Sequence, residues 1–244
     1  MVKIPTLEEM LKAGMHFGHR TSKWHPKMAP FIFGQRAGVH IIDLQKTQAM
    51  LTEALEFVSR MVSENKTILL VGTKDQVRAP VAKLGLDLGL PYINNRWLGG
   101  TLTNFSVIKR LIKNYLDLKE KKETGKLTKY TKKEQLEFSR QIAKLDRMVG
   151  GIASLKKLPD VIFIWDIKHE RTALAEAKKK GVPVVAVCDT NVDPTGVKYV
   201  IPGNDDATKT VKLVLDYLRQ AISEGKAQAK TAKPAGNGQG AKKQ

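Results

Sequence analysis

Apolar residues follow three different rhythms along this chain. Three continuous runs, TILLVGT at 67–73, PDVIFIWD at 159–166 and VPVVAVCDT at 182–190, read as strands buried on both faces, the pattern of a parallel sheet. LPYINN at 90–95 and VKYVIPG at 197–203 add two short strands. Between them the spacing is helical: Met50, Leu51, Leu55, Val58, Met61 and Val62 share one face over 46–63, and further helices are predicted at 75–88, 170–180 and 206–223. A short helix is expected within 1–14, with Thr6 to cap it, Glu9 three residues on and Gly14 to end it. Strands alternating with helices of this length argue for an α/β fold, a parallel sheet built from βαβ units with helices on both faces, like Rossmann and flavodoxin sheets.

Residues 105–149 break the alternation. Phe105, Ile108, Leu111, Ile112, Tyr115 and Leu118 form one stripe, and Leu136, Phe138, Ile142, Leu145 and Val149 form another. Two long helices with facing stripes predict an antiparallel coiled-coil hairpin inserted in the core. Lys109–Arg147 holds 13 Lys/Arg against 6 Asp/Glu, which suits either a solvated surface or a basic arm. Residues 15–44 hold four of the five histidines among aromatic and basic residues. Strands are expected there at Phe31–Phe33 and Val39–Ile42, with Gly34 and Gly38 marking the turn. Residues 225–244 have no periodicity, five lysines and no acid, the composition of a disordered cationic tail. The organisation expected is a core of 1–104 and 150–224 that includes the basic segment 15–44, an insert at 105–149 and a tail at 225–244.

Charge changes the picture most. The 244 residues carry a net charge of +18. Such an excess repels itself in a compact state unless polyanions are nearby, and nucleic acid is the commonest of these. The single cysteine, Cys188, excludes an intrachain disulfide and reads as a small buried hydrophobe. No run reaches the ~18 apolar residues of a membrane helix, and MVKIPTLEEM resembles neither a secretory nor a transit signal. A cytoplasmic protein is expected.

An enzyme on this sheet would need its own chemistry. VGTKDQ at 71–76 lies where a Rossmann protein places its phosphate loop, and Lys74 could touch a phosphate, but neither G-x-G-x-x-G nor G-x-x-x-x-G-K-[ST] is present. G-x-S-x-G is missing too, and His169 has no evident serine partner. Asp189, Asp193, Asp205 and Asp206 follow late strands. With His16 or His19 they could hold a structural divalent ion, or they could satisfy turn and cap hydrogen bonds. No cofactor is expected beyond such an ion.

NNRWLGGTLTN at 94–104 combines a forked donor in Arg96, a ring in Trp97 that could stack or sit in the core, and the pair Gly99–Gly100, which allows close backbone approach. Thr101, Thr103 and Asn104 are candidates to cap the next helix. This stretch, with GMHFGHRTSKWHPKMAPFIFGQRAGVHIIDL at 14–44, PDVIFIWDIKHERTALAEAKKKGVPVVAVCDTNVDP at 159–194 and IPGNDDATKTV at 201–211, resembles the small-subunit ribosomal protein S-two family over about residues 3–224. The hairpin insert resembles the bacterial or organellar branch. His25 and Ala37 depart from it, standing where the family commonly has asparagine.

The resemblance implies a structural constituent of the small ribosomal subunit. It would bind small-subunit ribosomal RNA late in assembly, near the head–body junction, and help dock the large multi-domain small-subunit protein one, which captures messenger RNA. It implies no catalytic residues and no membrane. The residues expected at RNA are Arg20, Lys23, Trp24, Lys27 and Arg36 in the basic segment, then Arg96, Lys109, Arg110 and Lys113, with Gly18, Gly99 and Gly100 permitting close approach. Two rival readings stand beside it: a nucleotide- or sugar-phosphate-binding enzyme, and an RNA-binding regulator outside the ribosome.

Overall fold

The computed structural model describes residues 3–231. Helix α1 (Leu7–Lys12) opens with a capping box between Thr6 and Glu9. A small antiparallel sheet follows, of β1 (Phe17–Arg20), β2 (Ile32–Arg36) and β3 (Val39–Ile42) in the order β1-β3-β2. Strand β1 was not expected: FGHR has no alternation of apolar and polar positions, and its pairing with β3 shifts register. The turn also lies elsewhere than Gly34, which sits inside β2 opposite Ile41. Ala37 (φ 51°) and Gly38 (φ 75°) make the turn. Positive φ at both central residues is the geometry whose twist matches a two-residue hairpin.

Asp43 caps α2 (Leu44–Ser63) by accepting from the amides of Gln45 and Lys46. Then come β4 (Ile68–Val71), α3 (Asp75–Leu88), β5 (Tyr92–Ile93), α4 (Phe105–Glu123), α5 (Lys132–Val149), β6 (Val161–Trp165), α6 (Arg171–Lys180), β7 (Val184–Cys188), β8 (Tyr199–Pro202) and α7 (Thr208–Thr231). The five later strands form one parallel sheet in the order β5-β4-β6-β7-β8. The sequence pattern demanded this α/β sheet flanked by helices, because successive residues of each strand feed opposite cores. Ile68, Leu70, Phe163, Trp165, Val185 and Val187 pack with α2, α3 and α7. Leu69, Val71, Ile162, Ile164, Ala186 and Cys188 pack with α6, the base of the hairpin and the 94–104 loop.

Two boundaries differ from expectation. Helix α7 does not stop at Ser223 but runs to Thr231. Gly225 lies so close to α2 that a Cβ there would run into the carbonyl of Ser59, and Lys226 Nζ donates to the carbonyl of Leu88. Ala, Lys and Gln are good helix formers once one end is docked, so the expected tail is helical over 225–231. Residues 232–244 lie outside the described ones. In the hairpin, Ile108, Ile112, Tyr115 and Leu118 are buried against Leu145 and Val149, but Leu136 is exposed; the second stripe begins at Phe138.

Candidate nucleic-acid interface

The 94–104 loop follows β5 and is organised by one carboxylate from α6. Glu176 Oε1 accepts from Trp97 Nε1 (3.0 Å) and the Gly100 amide (2.7 Å). Its Oε2 accepts from the amides of Leu102 (2.9 Å) and Thr103 (3.0 Å) and from Thr103 Oγ1 (3.1 Å). A ring of backbone N–H groups around a glycine is how proteins cradle phosphate, but here the protein supplies its own anion. Burial alone would raise the Glu176 carboxyl; the hydrogen bonds from Thr103, Trp97, Leu102 and Gly100 outweigh it and hold the group below the ordinary glutamate value. Trp97 is core. Gly100 (φ 89°) turns its amide inward to Glu176, so the close approach it permits is internal. None of the three predicted caps serves α4. Thr101 Oγ1 donates to the Leu98 carbonyl and Thr103 serves Glu176. Asn104 makes no cap bond. Asn95, Arg96, Gly99 and Asn104 are the exposed residues of the stretch.

Lys74 is likewise spent inside. Its Nζ lies 2.8 Å from Asp205, 2.6 Å from Asp206 and 3.4 Å from Asp166. Burial pulls its pKa down, but the bonds to Asp205 and Asp206 more than offset this and the ammonium is held charged. It cannot leave these carboxylates for a phosphate without stranding buried negative charge. Asp205 is pushed up to about 7, first by burial and then by Asp166 and Asp189, against Lys74.

His19 joins the same group, with Nδ1 3.0 Å from Asp189 and Nε2 3.7 Å from Asp206. The hydrogen bond to Asp189 raises its pKa over the opposing effect of burial. Ligand atoms of His19, Asp205 and Asp206 lie within 4.8 Å of one another, so these three could hold a divalent ion, with Asp189 orienting the imidazole. The other expected metal candidates lie apart. Asp193 pairs with Lys27 (3.0 Å) and Thr195. His16 packs on Phe17, ring centroids 3.9 Å apart. Cys188 is fully buried, and burial drives its thiol pKa well up.

On the small sheet, Arg20, Lys23 and Arg36 are exposed and make no ion pair among the described residues. Trp24 is 41% exposed and leans on His40 at 5.5 Å. Lys27 is committed to Asp193. Gly18 does not face a partner: a Cβ there would meet Thr190 Cγ2 at 2.7 Å, and the Thr190 hydroxyl accepts from the His19 amide (2.9 Å). His25 Nδ1 accepts from the Lys27 amide (3.3 Å). An asparagine oxygen at this position would be able to accept the same bond.

The family model for ribosomal protein S2 matches residues 10–225 of the 244. The chain belongs to the ribosomal protein S2 family. The family is one of structural ribosomal proteins and not of enzymes, and membership associates the chain with the small ribosomal subunit, its RNA and its proteins. Among the described residues no helix is long and apolar enough to cross a membrane.

This S2-family chain presents a second basic face where the hairpin leaves the core. Arg110 and Lys113 on α4 are exposed without ion pairs among the described residues, and Lys109 lies 5.3 Å over the Phe105 ring. Arg96 stands in the loop that leads into α4. The chain thus carries two cationic surfaces, one on each side of the sheet's loop end. Sequence reasoning missed Glu176, which holds the loop in shape. Its partners are 73 to 79 residues away, so no local pattern announces it.

Proposed function

We propose that this S2-family protein binds small-subunit ribosomal RNA through these two surfaces: Arg20, Lys23, Trp24 and Arg36 on the small sheet, and Arg96, Lys109, Arg110 and Lys113 at the hairpin base. It joins the cytoplasmic small subunit late in assembly, near the head–body junction, and helps dock the large multi-domain protein one for translation. The resemblance set out above supports that placement.

The observation that carries RNA binding is the disposition of charge. Acidic side chains of the core are paired inward around Lys74 and His19, while the cations of both surfaces stand outward without acidic partners. Free cations facing water neutralise phosphates and release counterions. Lys27 is left out of the set because Asp193 already holds it.

The test is binding of small-subunit RNA across a salt series with Lys23→Gln/Arg36→Gln. The slope of log affinity against log salt should fall by about one per lost contact, and the variant should be under-represented in small-subunit fractions of a sucrose gradient. An unchanged slope would remove these residues from the interface.

A further inference from the structure

We infer that the chain carries a seat for an unpaired RNA strand, distinct from the small-sheet surface and reached from the hairpin-base surface at Arg96, in a trough along the loop end of the sheet. The inference rests on the RNA-binding reading and extends its hairpin-base surface, from Arg96, into clefts that reading does not include.

In chain order of the core strands the sheet runs 2-1-3-4-5, and order reverses between β4 and β6. Open α/β sheets bind ligands in the crevice at such a switch point. A cleft of about 570 Å³ opens there, walled by Thr73, Arg78, Asn95, Arg96, His169 and Glu170. A second cleft of about 560 Å³ adjoins it toward the hairpin, sharing Arg78 and Asn95 and adding Lys119 and Arg147. Asn95 Nδ2 also reaches the carbonyl of Arg147 (3.4 Å), so one residue spans the two. Each cleft is of small-ligand size, and two in series suit a strand better than a lone nucleotide.

The chemistry matches a ribonucleotide chain. Arg96 and Arg147 are exposed and make no ion pair among the described residues. The Arg78 guanidinium is fixed by the Thr73 carbonyl (2.7 Å) and Asp75 (3.0 Å). Helix α6 begins beside the first cleft without a side-chain cap, adding positive potential. Cations in line along a trough track a phosphate backbone.

Two carboxylates enter the lining. Asp146 accepts from the Tyr115 hydroxyl. Glu170, 3% exposed, uses Oε1 for the Thr73 amide and hydroxyl. Its Oε2 has no donor among the described residues, which is the acceptor a ribose 2′-hydroxyl needs and a deoxyribose does not.

The experiment uses the full chain with fluorescent six-nucleotide RNA and DNA homopolymers, 5′-mononucleotides as competitors, and photocrosslinking. Arg96→Gln and Arg147→Gln should each weaken RNA hexamer binding about tenfold. DNA should bind several-fold more weakly, and Glu170→Gln should close that gap. Crosslinks should fall at 95–97 and 147–151. The Lys23→Gln/Arg36→Gln variant should bind hexamers normally while losing ribosomal RNA affinity, which separates this site from the proposed small-sheet surface. Unchanged hexamer affinity in Arg96→Gln and Arg147→Gln, crosslinks confined to the small sheet, or mononucleotides binding as tightly as hexamers would each overturn the inference. The two arginines are exposed, so their variants decide the matter even where Glu170→Gln folds poorly.

Discussion

The indole of Trp97 donates to Glu176 at 3.0 Å across 79 residues of sequence. Four further donors converge on the same carboxylate, so one side chain of α6 holds the whole connection from β5 to α4. Replacing it with alanine leaves five donors without their acceptor in a buried place. Glu176→Ala should cost about 3–5 kcal/mol of unfolding free energy, read as a lower urea midpoint, while Glu176→Gln, which keeps one acceptor oxygen, should cost less. Equal midpoints for wild type and Glu176→Ala would show that the loop holds without it.

The same carboxylate makes a pH prediction. Its folded-state pKa lies below the ordinary 4.5. Its contribution is therefore fully present above that value and is lost as pH falls through the lower folded one. The stability gap between wild type and Glu176→Gln should be widest at pH 5 and above and narrow toward pH 3. A gap that stays constant down to pH 3 contradicts the ionised hub.

Ala37 holds φ at 51° in an exposed turn. A left-handed backbone costs an alanine about 1–2 kcal/mol, and asparagine and glycine tolerate it. Ala37→Asn should raise Tm, with a gain of about 1 kcal/mol. A lower Tm would mean that the turn relaxes in solution.

Cys188 is wholly enclosed, with its thiol pKa driven well up. It should resist a thiol reagent at neutral pH in the folded protein and react completely in denaturant. Prompt labelling under native conditions would place an opening at β7.

The layered sheet was legible because a strand buried on both faces must be apolar at every position, as ILLV at 68–71 and VIFIW at 161–165 are. The hairpin was legible from its 3.6-residue stripes. Features that depend on distant partners were not. Lys27 reads as a free cation until Asp193, 166 residues on, is seen to hold it. Gly18 reads as an open backbone until Thr190 closes over it. The last turns of α7 read as tail because their composition is that of linkers, and the docking contacts offered by α2 and the end of α3 make them a helix. Trp97 left both readings open from local sequence, and the distant Glu176 decided between them.

One consequence follows from the length of α4. Its 19 residues extend ~28 Å at 1.5 Å per residue, with Gly125 near the far end and Arg110 and Lys113 close to the root. A rigid body pinned at two places so far apart is oriented much more sharply than one pinned at neighbouring atoms. Length gives the rod the leverage of an outrigger: a partner that gripped its end would set the tilt of the entire sheet.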